Sequence, residues 1–157
     1  MKHHVLAAFC AIVVACTAAA GAAQPPAAIA RIVKTVVGAE VPGSTAALVH
    51  LYTSDAIVVD EFPPFIWTGA DSGRVWFVAL DRVLANLKMH DLNVVAAPAS
   101  EYLQTGNDAY EIVPLTLDGM EGAKASHETG TLTFTFRRSG TVWKISSQVW
   151  TTRTSSS

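Results

Sequence analysis

Apolar residues recur three and four positions apart in the stretch 27–37: Ile29, Ile32, Val33, Val36 and Val37 fall on one side, Arg31 and Lys34 on the other. That spacing predicts an amphipathic helix. Gly38 is placed to stop it, and the sequence AEVPGS makes a short connection. Ser44 or Thr45 then caps a second predicted helix, TAALVHLY, whose buried stripe is Leu48, Leu51 and Tyr52. The run AIVV is short and β-branched, so it reads as a strand. EFPPFIWTGADSG reads as a loop, because prolines cannot sit inside a central ladder. A third helix is predicted over 74–89, capped by Asp71 or Ser72. Its stripe is Trp76, Phe77, Leu80, Val83, Leu84 and Leu87, with Asp81, Arg82 and Lys88 toward water. His90 stands at its C-terminal end, where the helix dipole favours a positive charge.

Beyond that point the pattern changes to strands: NVVAAPASEYLQT, DAYEIVPLTL, ASHETGTLTFTF and TVWKISSQVWTT, separated by GND, DGMEG and RRSG. In TLTFTF the residues Leu132, Phe134 and Phe136 share one side. In the last strand, simple alternation puts Trp143, Ile145 and Val149 together and Trp150 opposite. Helices first and hairpin-linked strands last define an α+β class, an antiparallel sheet with helices on one face.

Composition fits one such domain. The chain has 157 residues, half of them hydrophobic and 15% charged, with a formal net charge of -2 and no long run of one sign. That is enough apolar material for a core, and it lacks the clustered basic footprint of a nucleic-acid binder. The first residues stand apart. Lys2, His3 and His4 precede an apolar run over 5–14, followed by small residues up to Ala23, the order of a secretory signal peptide. The run is too short to span a bilayer. Small residues ending at Ala20 and at Ala23 both offer a cleavage site. The sequence VVAC, ending at Cys16, also resembles a lipobox, which would leave a lipid anchor on Cys16. The expected organisation is a signal peptide over 1–23, a domain over 24–154 and a loose tail over 155–157, exported to the periplasm or beyond. The only two cysteines, Cys10 and Cys16, lie in the leader, so the domain is expected to have no disulfide and no thiol nucleophile.

The order helix, helix, short strand, helix, four long strands resembles the nuclear transport factor 2-like superfamily, in particular its SnoaL-like and ketosteroid-isomerase-like branches. The residues that carry the resemblance are LYTSDAIVVDEFPPFIWTG and TFTFRRSGTVWKISSQVW. It implies a cystatin-like cone: a strongly curved sheet closed over an apolar cavity by three N-terminal helices. It also implies homodimers formed through the outer face of the sheet. Counted from SDA, Asp60 falls where the isomerases carry their proton-shuttling aspartate. The places of their two enolate-stabilising donors fall near Ile32 and Leu132, neither of which donates a hydrogen bond, so ketosteroid isomerisation is not expected.

Asp60 and Glu61 are neighbours at a strand end, and alternation sends Asp60 inward with Val58 and Glu61 away. Asp60 therefore reads either as a solvated strand end or as a general base whose pKa is raised by an apolar wall. His50 and Tyr110 are weaker candidates to assist it. Trp67, Trp76, Tyr102, Tyr110 and Trp150 are candidates to line a cavity, against the alternative that they fill a core. His127 is followed by Glu128 but lacks the second histidine of a zinc helix. No metal and no cofactor are expected. The leading expectation is an exported SnoaL-like domain holding a small, mostly apolar molecule. The alternatives are an acid–base enzyme of isomerase, lyase or hydrolase type using Asp60, and a non-catalytic assembly module.

The leader can be tested directly. N-terminal sequencing of protein from the producing cell is expected to begin after Ala20 or Ala23, and Cys16→Ser is expected to leave its fractionation unchanged. Loss of the protein from the membrane fraction in Cys16→Ser would establish lipidation instead.

Overall fold

A computed structural model describes residues 24–39 and 45–156. The predicted leader and the connection around Ser44 lie outside the described residues. Helix α1 (Ala27–Ala39) buries the expected stripe, with Ile29 and Val36 fully enclosed.

Where a second helix was expected, Thr45–Leu48 form only one 3-10 turn. His50 follows with φ of 72°, in the left-handed region that ends a right-handed helix, and the Leu51 amide donates to the Leu48 carbonyl at 3.3 Å. Strand β1 (Tyr52–Val59) begins at once. Its β-branched residues gain a ladder, which outweighs the helical spacing of Leu48, Leu51 and Tyr52. The loop after β1 holds more order than its prolines implied. Pro63 and Pro64 occupy only the tip, the Asp60 amide donates to the Phe65 carbonyl at 3.1 Å, and β2 (Ile66–Thr68) pairs back onto β1. Helix α2 (Ser72–Asn86) follows, and Lys88, with φ of 56°, turns the chain into β3 (Met89–Ala96). His90 thus lies in a strand and not at a helix end.

The predicted strand over 93–105 is two collinear pieces, β3 and β4 (Glu101–Thr105), which pair with successive parts of β5 (Asp108–Glu121). Pro98 supplies no amide proton and interrupts them. Strands β6 (Lys124–Ser139) and β7 (Val142–Ser156) complete a seven-stranded sheet in the order β2-β1-β7-β6-β5-β3, with β4 beside β5. The sheet is α+β in class, curved and unclosed. It is mixed and not purely antiparallel, because β1 runs parallel to β7. Ser155 and Ser156, expected in a loose tail, belong to β7, where Ser156 pairs with His127.

Two extra residues bend the long ribbon. Between β6 and β7 the register slips at Ser146 and again at Arg153. Each is a bulge, which adds twist and curvature. The Thr135 hydroxyl lies 2.8 Å from that of Ser146 and 2.7 Å from that of Ser147, two residues opposite one. The slip also reverses facing. Ile145, Gln148 and Trp150 look into the concave side, while Val149 pairs with Val59 of β1. The simple alternation that joined Val149 to Ile145 fails at this bulge.

On the concave side α1 and α2 cover Leu132, Phe134, Phe136 and Ile145, and the rings of Phe134 and Phe136 stack at 5.6 Å. The hydroxyl end of Tyr52 is enclosed from two sides. Its hydroxyl donates to Gln148 Oε1 at 2.6 Å, and its ring lies beneath Gly73 of α2, where a Cβ would stand 2.0 Å from it. Gly73→Ala is therefore expected to destabilise the fold by about 1–3 kcal/mol by overpacking. Gly38→Ala, in α1 with open space around it, is expected to stabilise by about 0.5–1 kcal/mol. Urea unfolding of the two variants reads both signs; a stabilising Gly73→Ala would contradict the packing described.

Candidate functional site

The second half of α2 leaves a space between itself and the sheet. Trp76 and Phe77 are buried, but Leu80, Val83 and Leu84 face a cavity of about 320 Å³, and Leu87 is 47% exposed. The opposite wall is Leu117 of β5, Leu132 of β6 and Trp150 of β7. The space continues past Leu84 and Leu87 toward Met89, Leu92 and Glu121, forming one cleft between α2 and the far ends of the long strands.

At the inner end of this cleft stands Asp60, 7% exposed. The chain leaves β1 there, so its carboxylate sits at the corner between sheet and helix. Trp76 Nε1 donates to Oδ2 at 2.7 Å, and the Glu61 amide donates to Oδ1 at 2.6 Å. Burial pushes the Asp60 pKa above the ordinary carboxylate value. The Trp76 and Glu61 bonds pull the other way, while the negative charges of Glu61 and Glu128 add to the rise.

Glu61 also lines the cleft, although alternation sent it away from Asp60. The strand ends at Val59, so the two-residue period no longer applies. Its Oε1 accepts from the Thr152 amide at 2.9 Å. The Thr152 hydroxyl in turn donates to Glu128 Oε1 at 2.9 Å and accepts from Trp150 Nε1 at 3.1 Å. Thr152 therefore fixes two acids and a tryptophan at the cleft wall. Sequence reasoning missed Glu128, Thr152 and Ser155. The signal for Glu128 was present in HETGTLTFTF, where it alternates in phase with Leu132, Phe134 and Phe136 along an uninterrupted β6.

The cleft gathers some of the expected residues and not others. Asp60, Trp76 and Trp150 line it. Trp67 packs against Phe62 at 5.2 Å between ring centres and borders a separate groove on the other side of α2. Tyr102 is buried elsewhere in the core, its hydroxyl donating to Gln104 Oε1 at 2.7 Å. Tyr110 alternates with the buried Ala109 and Glu111 and so lies on the outer face. His50 is exposed at the turn before β1 and does not line the cleft. His90 bonds the Gly122 carbonyl and Asp91, which raise its pKa, and His127 bonds Asp118 at 2.7 Å; both are exposed and outside the cleft. Leu132 lines the cleft as an apolar wall, and Ile32 is buried in α1. Among the described residues no group of three His, Cys, Asp or Glu side chains could hold a metal ion, and no helix is long and apolar enough to cross a membrane.

The electrostatic character of the site follows from this inventory. Four carboxylates, Asp60, Glu61, Glu128 and, at the outer end, Glu121, line the cleft, and among the described residues no lysine, arginine or histidine does. Both indole N–H groups are already given, one to Asp60 and one to Thr152. The site can accept hydrogen bonds or a proton, but its strong donors are committed.

No protein-family model and no curated protein matches the chain. Solved structures do match. They include the hexachlorocyclohexane dehydrochlorinase LinA-type3 from Novosphingobium barchaimii (TM-score 0.70, 16% identity, 83% of this chain and 87% of that one). A putative scytalone dehydratase from Novosphingobium aromaticivorans is also similar (TM-score 0.65, 14% identity, 82% and 84%). So is a protein of unknown function with a cystatin-like fold from Nostoc punctiforme (TM-score 0.65, 12% identity, 83% and 96%). At these identities the likeness establishes the fold: the chain has the cystatin-like cone found in nuclear transport factor 2-like and SnoaL-like proteins.

The balance of effects on Asp60 makes a measurable statement. Its folded pKa is raised, so stability falls as pH rises from the ordinary carboxylate value through the folded one. Trp76→Phe removes the bond that opposes this rise. It is expected to push the Asp60 pKa further up, extend the loss to higher pH, and cost about 1.5–3 kcal/mol at neutral pH. A carboxyl-carbon NMR titration follows the first effect and denaturation the last; an unchanged Asp60 titration would refute the assignment of that bond.

Proposed function

We propose that this chain is an exported SnoaL-like domain that holds a small, mostly apolar, uncharged molecule in the Asp60 cleft. The observation that carries this is a half-open, aliphatic-walled cavity ending on a buried carboxylate, with Glu61, Glu128, Trp150 and Thr152 tied to one another. Such a site selects by shape and by one hydrogen bond offered to Asp60. Anions are disfavoured by Asp60, Glu61 and Glu128. Export rests on the pattern of residues 1–23, and pairing of two copies through the outer sheet face rests on the family resemblance.

A second reading is favoured by the raised pKa of Asp60. A buried carboxylate without a strong solvation shell is suited to take a proton from a carbon or hydroxyl acid. Two of the similar structures bear the names of a dehydrochlorinase and a scytalone dehydratase. In this chain Asp60 would abstract the proton, and the substrate would have to carry its own polarised group, because both indole donors of the cleft are committed and the Ser155 hydroxyl is a single weak donor. That argues for an elimination or isomerisation of a pre-activated molecule and against ketosteroid isomerisation.

Native mass spectrometry of protein purified gently from its own host tests both. The expected spectrum shows a retained neutral molecule, with occupancy about tenfold lower in Asp60→Asn, since a hydrogen bond to a charged group is lost. Conversion of that molecule by the wild-type protein and not by Asp60→Asn would establish the base. Equal retention by both proteins would overturn the role of Asp60. The same spectrum reports whether the chain pairs.

A further inference from the structure

A second acid is buried far from this cleft. Glu111 of β5 is 3% exposed, and its Oε2 has no hydrogen-bond partner. Its cross-strand neighbours cannot supply one. Tyr102 on β4 gives its hydroxyl to Gln104, and Phe134 on β6 is apolar. An unpartnered buried carboxyl is costly, and such a group in a native fold calls for a partner. Burial alone holds the Glu111 pKa above the ordinary glutamate value, and its charge contributes to raising that of Tyr102.

Oε2 itself is enclosed, and the residue borders a cavity. Glu111 lines a space of about 440 Å³ bounded by Ala30, Val33 and Val37 of α1, Pro98 of the β3–β4 link and Val113 of β5. It shares no lining residue with the Asp60 cleft. Lys34 is exposed on α1 at the margin of the cavity, and no ion pair joins it to Glu111.

We propose that this cavity is a second binding site, taking a primary aliphatic amine whose ammonium group donates to the Glu111 carboxylate while its chain lies along the α1 valines. The chemistry selects that class. An ammonium supplies the missing donor and compensates the buried charge at once. An alcohol supplies a donor but leaves the charge uncompensated, and a fatty acid brings a second negative charge against Glu111. Lys34 sits in solvent, where its repulsion of an entering amine is screened. The site is independent of what the Asp60 cleft binds.

The test is a proton–nitrogen NMR titration of the described domain within the full chain, using hexylamine, hexanol and hexanoate at neutral pH. Hexylamine is expected to shift the amides of Val33, Val37 and Val113 at about tenfold lower concentration than hexanol, the difference expected for a bond between charged partners. Hexanoate is expected to bind least. Glu111→Gln keeps the shape and should bring hexylamine down to the level of hexanol. Ala97→Trp, at an exposed lining position, should block the cavity with Glu111 intact and serves if Glu111→Gln fails to fold. Equal binding of hexylamine and hexanol by the wild-type protein, a preference that survives Glu111→Gln, or shifts confined to the Asp60 cleft would each overturn the proposal.

Discussion

One inserted residue, Ser146, decides what the concave face contains. Before it, Ile145 packs into the core; after it, the facing is reversed, so that Gln148, Trp150 and Thr152 arrive inside. Without that slip Trp150 would look outward, Thr152 would not reach Glu61 and Glu128, and the cleft would lack a wall. The second slip, at Arg153, adds further bend where the ribbon passes the end of α2. Curvature and the identity of the cavity-lining residues are thus set together by the pairing of two strands. Gly130 fits the same arrangement: a Cβ there would stand 2.4 Å from the Trp150 ring, so the close approach of the indole requires a residue without a side chain.

Much of the fold was legible because periodicity reports burial. The α1 stripe, the position of α2 within two or three residues, and the facing of Leu132, Phe134 and Phe136 all follow from spacing. Three features were not legible. TAALVHLY has helical spacing, yet the ladder of Tyr52–Val59 with β7 claims its last residue, a long-range term that local pattern does not contain. The parallel pairing of β1 with β7 is equally invisible to a local reading. The bulges leave no mark in composition, so Trp150 was assigned to the wrong side of its strand relative to Ile145.

The candidate site was legible in its centre and not in its surroundings. Asp60 was identified by its place at the end of an apolar strand, and it is buried at the inner end of the cleft. The residues around it come from elements separated by large sequence distances: its donor Trp76 from α2, and the bonded pair Glu128 and Thr152 from β6 and β7. The aromatic candidates divide by the same logic. Aromatic residues serve cores and cavities alike, and only tertiary placement distinguishes Trp76 and Trp150 from Trp67, Tyr102 and Tyr110. The indole donors of the cleft are bound to its own acceptors, which leaves mainly the accepting of a hydrogen bond or a proton.

The two margins of the open sheet are each cut short. At one, β2 is only three residues long; at the other, Pro98 splits the outermost strand into β3 and β4. An uninterrupted margin would offer a row of free amides and carbonyls to any extended chain, including another copy of itself. Brevity at one border and a ring nitrogen without a proton at the other deny that template its continuity.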